Sequence, residues 1–188
     1  MFDKRYWAKI RDSLSMYQDK PVSLTRIEHL NLNYPYEQKT RRKPRGIWFS
    51  HGTEWFDFLV GIKDDDWGEE RLSIYKRVLL FEFHKQDFLV LNTIEDVSDF
   101  VREFMVDPFE WDKADKDGCS EQDFAARVGI TDWSRVAAQH KGIVVANPKL
   151  LHSSDTGDYI SPFWGWDVTG GCVWDLSAIK EYEQIAVV

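Results

Sequence analysis

Residues 39 to 59 read KTRRKPRGIWFSHGTEWFDFL. Five of the seven positions 39–45 are basic, namely Lys39, Arg41, Arg42, Lys43 and Arg45. Next comes GIWFS (46–50), a short apolar run bounded by turn formers, which predicts a β-strand. Ser50, His51 and Gly52 make the turn. Thr53 stands where a helix cap belongs, and Trp55, Phe56, Leu59 and Val60 form an apolar stripe at helical spacing. A strand that runs through a serine into a helix places a hydroxyl beside helix N-terminal amides, which suits a polar or anionic ligand group. The same Ser, Gly and Thr are also ordinary turn and cap formers.

The neighbouring sequence alternates between the two periods. Phe2, Tyr6, Ile10, Leu14 and Tyr17 recur at helical spacing and predict an amphipathic first helix. VSLTRIEHL (22–30) alternates as a strand, with Val22, Leu24, Arg26, Glu28 and Leu30 on one face and Thr25, Ile27 and His29 on the other. SIYKRVLLFEF (73–83) and DFLVL (87–91) predict the third and fourth strands. Thr93 and Asp96 have capping-box spacing ahead of a helix over 94–105. TDWSRVAAQHK (131–141) predicts a short capped helix. GIVVA (142–146), GCVWD (171–175) and the tail YEQIAVV (182–188) complete the strands. GIKDDDWGEE and residues 107–123 read as acidic loops. Uneven spacing between strands and helices predicts an α+β chain with a mostly antiparallel or mixed sheet, rather than a doubly wound one. No linker or repeat divides the chain, so residues 1–188 are expected to form a single domain.

Composition narrows the function. With 188 residues, 43% apolar and 30% charged, the sequence has the balance of a globular protein with a sizeable core. A net charge of −8 disfavours general affinity for nucleic acid. Contact of that kind has to be local, and 39–45 is the evident place; charge runs are also often simply solvated loops. Cys119 and Cys172 are the only cysteines. They form no CxxC and have no histidine at zinc spacing, which points to a reducing compartment and no structural metal. The charged, amphipathic start is not a signal peptide, and no segment has the length of a membrane span. A cytoplasmic protein is expected. GxGxxG, P-loop, GxSxG and HExxH are all absent. DKADKDGCSEQD (112–123) fails as a calcium loop, since alignment on Gly118 puts Lys113 first and Phe124 twelfth.

Four residues are candidates for chemistry. Arg26 is in phase with the apolar positions of its strand, so it pairs with a carboxylate such as Glu28 or holds an anion, phosphate above all. His29 lies near the same strand end, as a structural or catalytic imidazole. Ser50 is the strand-end hydroxyl. Asp167 sits in WGWDVTGGCVW (164–174), where Gly170 and Gly171 permit unusual backbone angles or close ligand approach. Its carboxylate either bonds a turn amide or stabilises a developing cation.

An arginine on an early strand, a serine-bearing strand before a helix and a carboxylate near a late strand resemble the ADP-ribosyltransferase superfamily. SLTRIEHL, GIWFSHG, KGIVVA and WDVTGGCVWDLSAI carry the resemblance, over about 160 residues. It implies a split, mostly antiparallel sheet with flanking helices and a cleft that binds NAD as substrate, without a metal. It implies catalytic roles for Arg26, Ser50 and Asp167, and NAD contacts from Arg26, His29, Trp48, Phe49, Ser50 and Trp166. The second motif reads Ser-His-Gly where the family usually has Ser-Thr-Ser. A glycine, Gly170 or Gly171, stands where a glutamate is usual, leaving Asp167 as the nearest upstream acid. The basic residues Arg41, Arg42, Lys43 and Arg45 would sit at the cleft rim and bind a macromolecular acceptor, RNA or DNA. By analogy, a small effector of this kind suits a toxin or phage-defence role with an antitoxin protein as partner. Two other functions fit the same residues. One is a non-catalytic module gripping single-stranded nucleic acid; the other is an interaction protein whose tryptophan-rich patches are buried in a partner.

Overall fold

The computed structural model describes residues 4–27, 29–38, 43–61, 72–105, 131–147, 150, 163 and 166–187. The expected acidic loops, GIKDDDWGEE (61–70) past Gly61 and residues 107–123, together with Lys39, Arg41, Arg42, Glu28, Cys119 and Trp164, lie outside these residues. The described residues hold seven strands: β1 Pro21–Thr25, β2 Ile47–His51, β3 Arg77–Phe83, β4 Phe88–Leu91, β5 Gly142–Val145, β6 Gly170–Val173 and β7 Ile179–Val187. Four helices accompany them: α1 Lys4–Leu14, α2 Glu54–Gly61, α3 Ile94–Phe104 and α4 Trp133–Gln139. The strands form one mixed sheet in the order β4-β5-β6-β2-β1-β3-β7. β4 and β5 run parallel, as the helical crossover through α3 and α4 requires; every other neighbouring pair is antiparallel. The chain is therefore α+β, with the expected mixed sheet and flanking helices. No helix among the described residues is long and apolar enough to cross a membrane.

Directly paired residues share a face of the sheet, so the register assigns each side chain. Val22 opposite Ser50, Trp48 opposite Cys172 and Ile143 opposite Cys172 put Val22, Ser50, Trp48, Cys172 and Ile143 on one face. Two apolar clusters cover that face. Trp7, Ile10, Leu14, Phe56 and Leu59 of α1 and α2 pack over Val22 and Val78. Val97, Phe100, Phe104, Trp133 and Val136 of α3 and α4 pack over Leu91, Ile143, Val145 and Cys172, together with Phe163 and Trp166. The other face carries Ile47, Phe49, Leu79, Phe81 and Val173 beneath Leu176, Ala178 and Ile179.

The first strand is shorter than its alternation predicts. Its last pair is Thr25 with Arg77. The Lys76 amide donates to the Thr25 carbonyl at 2.8 Å, and the Ile27 amide donates to Thr25 Oγ1 at 3.0 Å. The threonine thus bends the chain out of the sheet, and Arg26 and Ile27 emerge exposed. β3 likewise starts at Arg77 rather than Ser73, after a turn in which the Tyr75 amide donates to Leu72 O at 3.1 Å. β7 starts three residues earlier than expected and follows β3 past two register shifts.

Candidate functional site

A cleft opens where two strands part. β1 and β2 pair only through Pro21 with His51 and Val22 with Ser50. Beyond that point β1 continues along β3 as far as Thr25, and β2 continues along β6 as far as Ile47. Their facing edges have no strand between them among the described residues. A cavity of about 470 Å³ fills this split, within the range usual for small-molecule sites. Its β1 wall is Val22 to Ile27, with Trp55 of α2 and Tyr75 alongside. Its β2 wall is Gly46 to Ser50, with Lys43, Trp166, Asp167, Val168 and Gly171.

Arg26, Lys43, Trp48, Phe49, Ser50, Trp166 and Asp167 therefore meet at one cavity. Arg26 and Asp167 are exposed. Arg26 has no side-chain partner among the described residues, and Glu28 is not one of those residues. Lys43 holds its ammonium 5.5 Å from the centre of the Trp48 ring, within cation–π range. Trp48 meets Trp166 edge to face, with centroids 4.7 Å apart and planes at 75°. The two indoles make an aromatic corner flanked by cations. Among the described lining residues, Arg26, Lys43 and Asp167 are the charged ones, so the cavity leans positive in a protein that is negative as a whole.

Ser50 is not the exposed strand-end hydroxyl that the sequence predicts. It is buried at 3% exposure, because its register partners Val22 and Gly170 flank it on both sides. Its Oγ has no hydrogen-bond partner among the described residues, and neither has Nε1 of Trp166, which is 4% exposed. Thr131 Oγ1 and Trp133 Nε1, which do not line the cavity, share that condition, and all four atoms are closed off from the surface, so Ser50 and Trp166 border the cavity with their carbon atoms and backbone.

The helix amides expected beside Ser50 are already complemented. The first turn of α2 carries Glu54 and Asp57. The Thr53 hydroxyl donates to Asp57 at 2.8 Å instead of accepting from a backbone amide, and Asp57 also pairs with Arg11 at 2.6 Å. Glu54 accepts from the Thr169 hydroxyl and ties α2 to the start of β6. Carboxylates at a helix N-terminus satisfy its dipole, so anion binding in this cleft falls to Arg26 and Lys43.

Two of the expected residues stand elsewhere. His29 is exposed and does not line the cavity. Arg45 lines a second groove. Phe49 contributes to the lining, but strand alternation puts it on the face opposite Trp48 and Ser50. Its ring packs 4.8 Å from Phe83 and 6.2 Å from Phe88, so planar stacking belongs to Trp48. Arg41 and Arg42 lie outside the described residues. Sequence reading missed Trp55 and Tyr75, whose places depend on the pairing of distant strands and the packing of α2. The aromatic excess in this chain was the one available hint.

Gly170 and Gly171 serve the sheet. A Cβ on Gly171 would lie 2.0 Å from the Ile143 carbonyl oxygen; on Gly170, where φ is +147°, it would lie 2.1 Å from the Phe49 carbonyl oxygen. They let β6 pass closely between β5 and β2, and Gly171 also borders the cleft. Comparison with models of known families, with curated proteins and with solved structures returned no match.

Proposed function

We propose that the cleft binds NAD and that the protein is an ADP-ribosyltransferase acting on a macromolecular acceptor. The observation that carries this reading is the split between β1 and β2, lined by two cations, an aromatic corner and one carboxylate. Each suits one part of NAD. Arg26 and Lys43 grip the pyrophosphate, Arg26 in the bidentate manner open to a guanidinium. Trp48 and Trp166 receive a planar ring. Asp167 faces the positive charge that develops on the ribose.

The chemistry then needs little else. The bond between ribose C1′ and the nicotinamide nitrogen breaks, its electron pair leaves with neutral nicotinamide, and C1′ becomes oxocarbenium-like. An acceptor oxygen or nitrogen forms the new bond to C1′ and releases its proton to solvent. Fixed charges aimed at that cation, together with immobilised reactants, lower the barrier.

NAD labelled in its adenylate moiety, incubated with the protein and separate RNA, DNA and protein fractions, tests this directly. Nicotinamide release and label transfer to one fraction are expected. R26A and D167N should each lower transfer by at least tenfold while remaining folded by circular dichroism. Full transfer in both variants overturns the site, and the absence of both NAD binding and turnover overturns the function.

A non-catalytic nucleotide-binding module is the second reading, favoured by the exposure of Asp167. Calorimetric NAD binding without nicotinamide release identifies it.

A further inference from the structure

A second groove begins where the cleft ends. It has a volume of about 530 Å³ and is lined by Tyr34, Pro35, Tyr36, Glu37, Arg45, Gly46 and Trp48. Gly46 and Trp48 belong to both cavities, so the two meet at the start of β2. Tyr34 is 53% exposed, and its ring stands edge-on to Tyr36 with centroids 4.8 Å apart. Tyr36 is half-buried and packs against the apolar clusters on both faces of the sheet, which fixes the pair. The loop is built as well. Gln38 accepts from the Arg45 amide at 2.9 Å and donates to the Arg45 carbonyl at 2.7 Å and the Tyr36 carbonyl at 2.9 Å. That clamp holds the backbone of Arg45 and leaves its guanidinium exposed, without a partner among the described residues.

We propose that this groove seats a short stretch of single-stranded nucleic acid, one base against Tyr34 and its phosphates against Arg45 and Lys43, leading the next nucleotide to the cleft. The proposal names the acceptor class of the transferase and to that extent rests on the function given above. Its footing is chemical. An exposed aromatic ring in a groove with Arg45, with Lys43 at the adjoining cleft, matches the alternation of base and phosphate along a single strand. A duplex keeps its bases stacked and offers Tyr34 no free face. An acidic peptide satisfies Arg45 and Lys43 but leaves the tyrosine unused. The chain as a whole carries −8, the positive charges of this rim included, so the rest of it repels polyanions and binding is confined to the few residues of the rim. Glu37 also lines the groove and sets one negative charge near the positive one of Arg45, so the tyrosine ring carries the preference for a strand with free bases.

The test separates this site from the NAD reading by omitting NAD. Fluorescence anisotropy would follow labelled eight-nucleotide single strands of RNA and of DNA, a duplex of the same sequence, and polyglutamate. The wild-type protein should bind a single strand at least tenfold more tightly than the duplex or polyglutamate. Which of the two strands binds better names the sugar. Y34A and R45A should each weaken binding about tenfold, and Y34F should restore it, since the ring and not the hydroxyl stacks. Equal binding of polyglutamate, or unchanged binding in Y34A and R45A, overturns the proposal. NAD turnover without oligonucleotide binding overturns the groove alone. Oligonucleotide binding without NAD turnover supports the groove and removes the transferase.

Discussion

Ser50 Oγ is a buried hydroxyl with no hydrogen-bond partner among the described residues, in a strand whose backbone is paired. A hydroxyl in that position is a cost to the empty protein, because it has left water without a replacement partner. S50A should therefore leave the free protein as stable as before or raise its stability by about 1 kcal/mol. The same substitution should leave NAD binding within about twofold, since the hydroxyl is closed off from the cavity. Thermal unfolding with and without NAD reads both effects. A free S50A protein that loses more than about 1 kcal/mol would mean that the hydroxyl has a structural partner after all. Glycine positions separate in the same way. Ala at Gly171 forces a Cβ onto the Ile143 carbonyl, and G171A should lose 3 kcal/mol or more, on the order of other severe overpacking. At Gly61, the last residue of α2, a Cβ meets nothing within 4 Å and φ is not positive. G61A should be neutral or stabilise by about 0.5 kcal/mol. Urea midpoints of the two variants check the contrast, and a mild G171A would mean that β6 is not held closely between its neighbours.

At the scale of elements, the third helix shows which features could be read in advance. Thr93 and Asp96 predict a capping box, and both halves form: Thr93 Oγ1 accepts from the Asp96 amide at 3.1 Å, and the Asp96 carboxylate accepts from the Asn92 and Thr93 amides at 2.8 Å each. Those backbone bonds, from Asn92 first and Thr93 second, hold the Asp96 carboxyl below its ordinary value. The sign follows. A carboxylate depressed on folding adds stability above its unfolded value and loses it as pH falls through the folded value. D96A should cost about 1 kcal/mol at pH 7, with the gap from wild type closing as the solution is acidified below the folded value. Denaturation at pH 7 and pH 3 measures this, and a gap that stays constant with pH would assign the loss to something other than the charged cap. Local features of this kind were legible because they depend on residues a few positions apart. β2, α3, α4 and β5 lie within a residue or two of where period and caps put them. The end of β1 was hidden because Thr25 uses its hydroxyl to turn the chain, a choice that alternation does not reveal. The cleft was half legible. Arg26, Ser50 and Asp167 are legible as candidates from strand phase, the strand-to-helix turn and the flanking Trp and Gly, but the burial of Ser50, the packing of Phe49 into the core of the opposite face and the places of Trp55 and Tyr75 depend on which strands become neighbours. The order that inserts β6 between β5 and β2 joins residues more than a hundred positions apart. No local pattern encodes it.

Considered as a whole, the molecule has a seam. Two pairs of residues join β1 to β2, whereas β1 meets β3 over four pairs and β2 meets β6 over four. On the helical face, separate apolar clusters cover the two sides, α1 with α2 on one and α3 with α4 on the other. The cleft lies along the line between them. The residues that line it are divided accordingly, Arg26 and Tyr75 on the β1 side and Lys43, Trp48, Ser50, Trp166 and Asp167 on the β2 side. A ligand that spans the cleft bonds the two sides together where the backbone does not. Binding should therefore slow amide exchange at Ser23–Thr25 and Trp48–Ser50 more than at β4 or β5, whose pairing it does not touch. Overall stability should rise with ligand concentration, by about 2.7 kcal/mol at a hundred times Kd. R26A removes a grip on the β1 side alone, so it should abolish the protection of Ser23–Thr25 while leaving part of that at β2. Hydrogen exchange followed by mass spectrometry, with and without saturating NAD, resolves these segments. Uniform slowing across all seven strands would mean that the ligand stabilises the fold globally without bridging the seam. Slowing confined to β2 and β6 would place the ligand on one wall and remove Arg26 from the site.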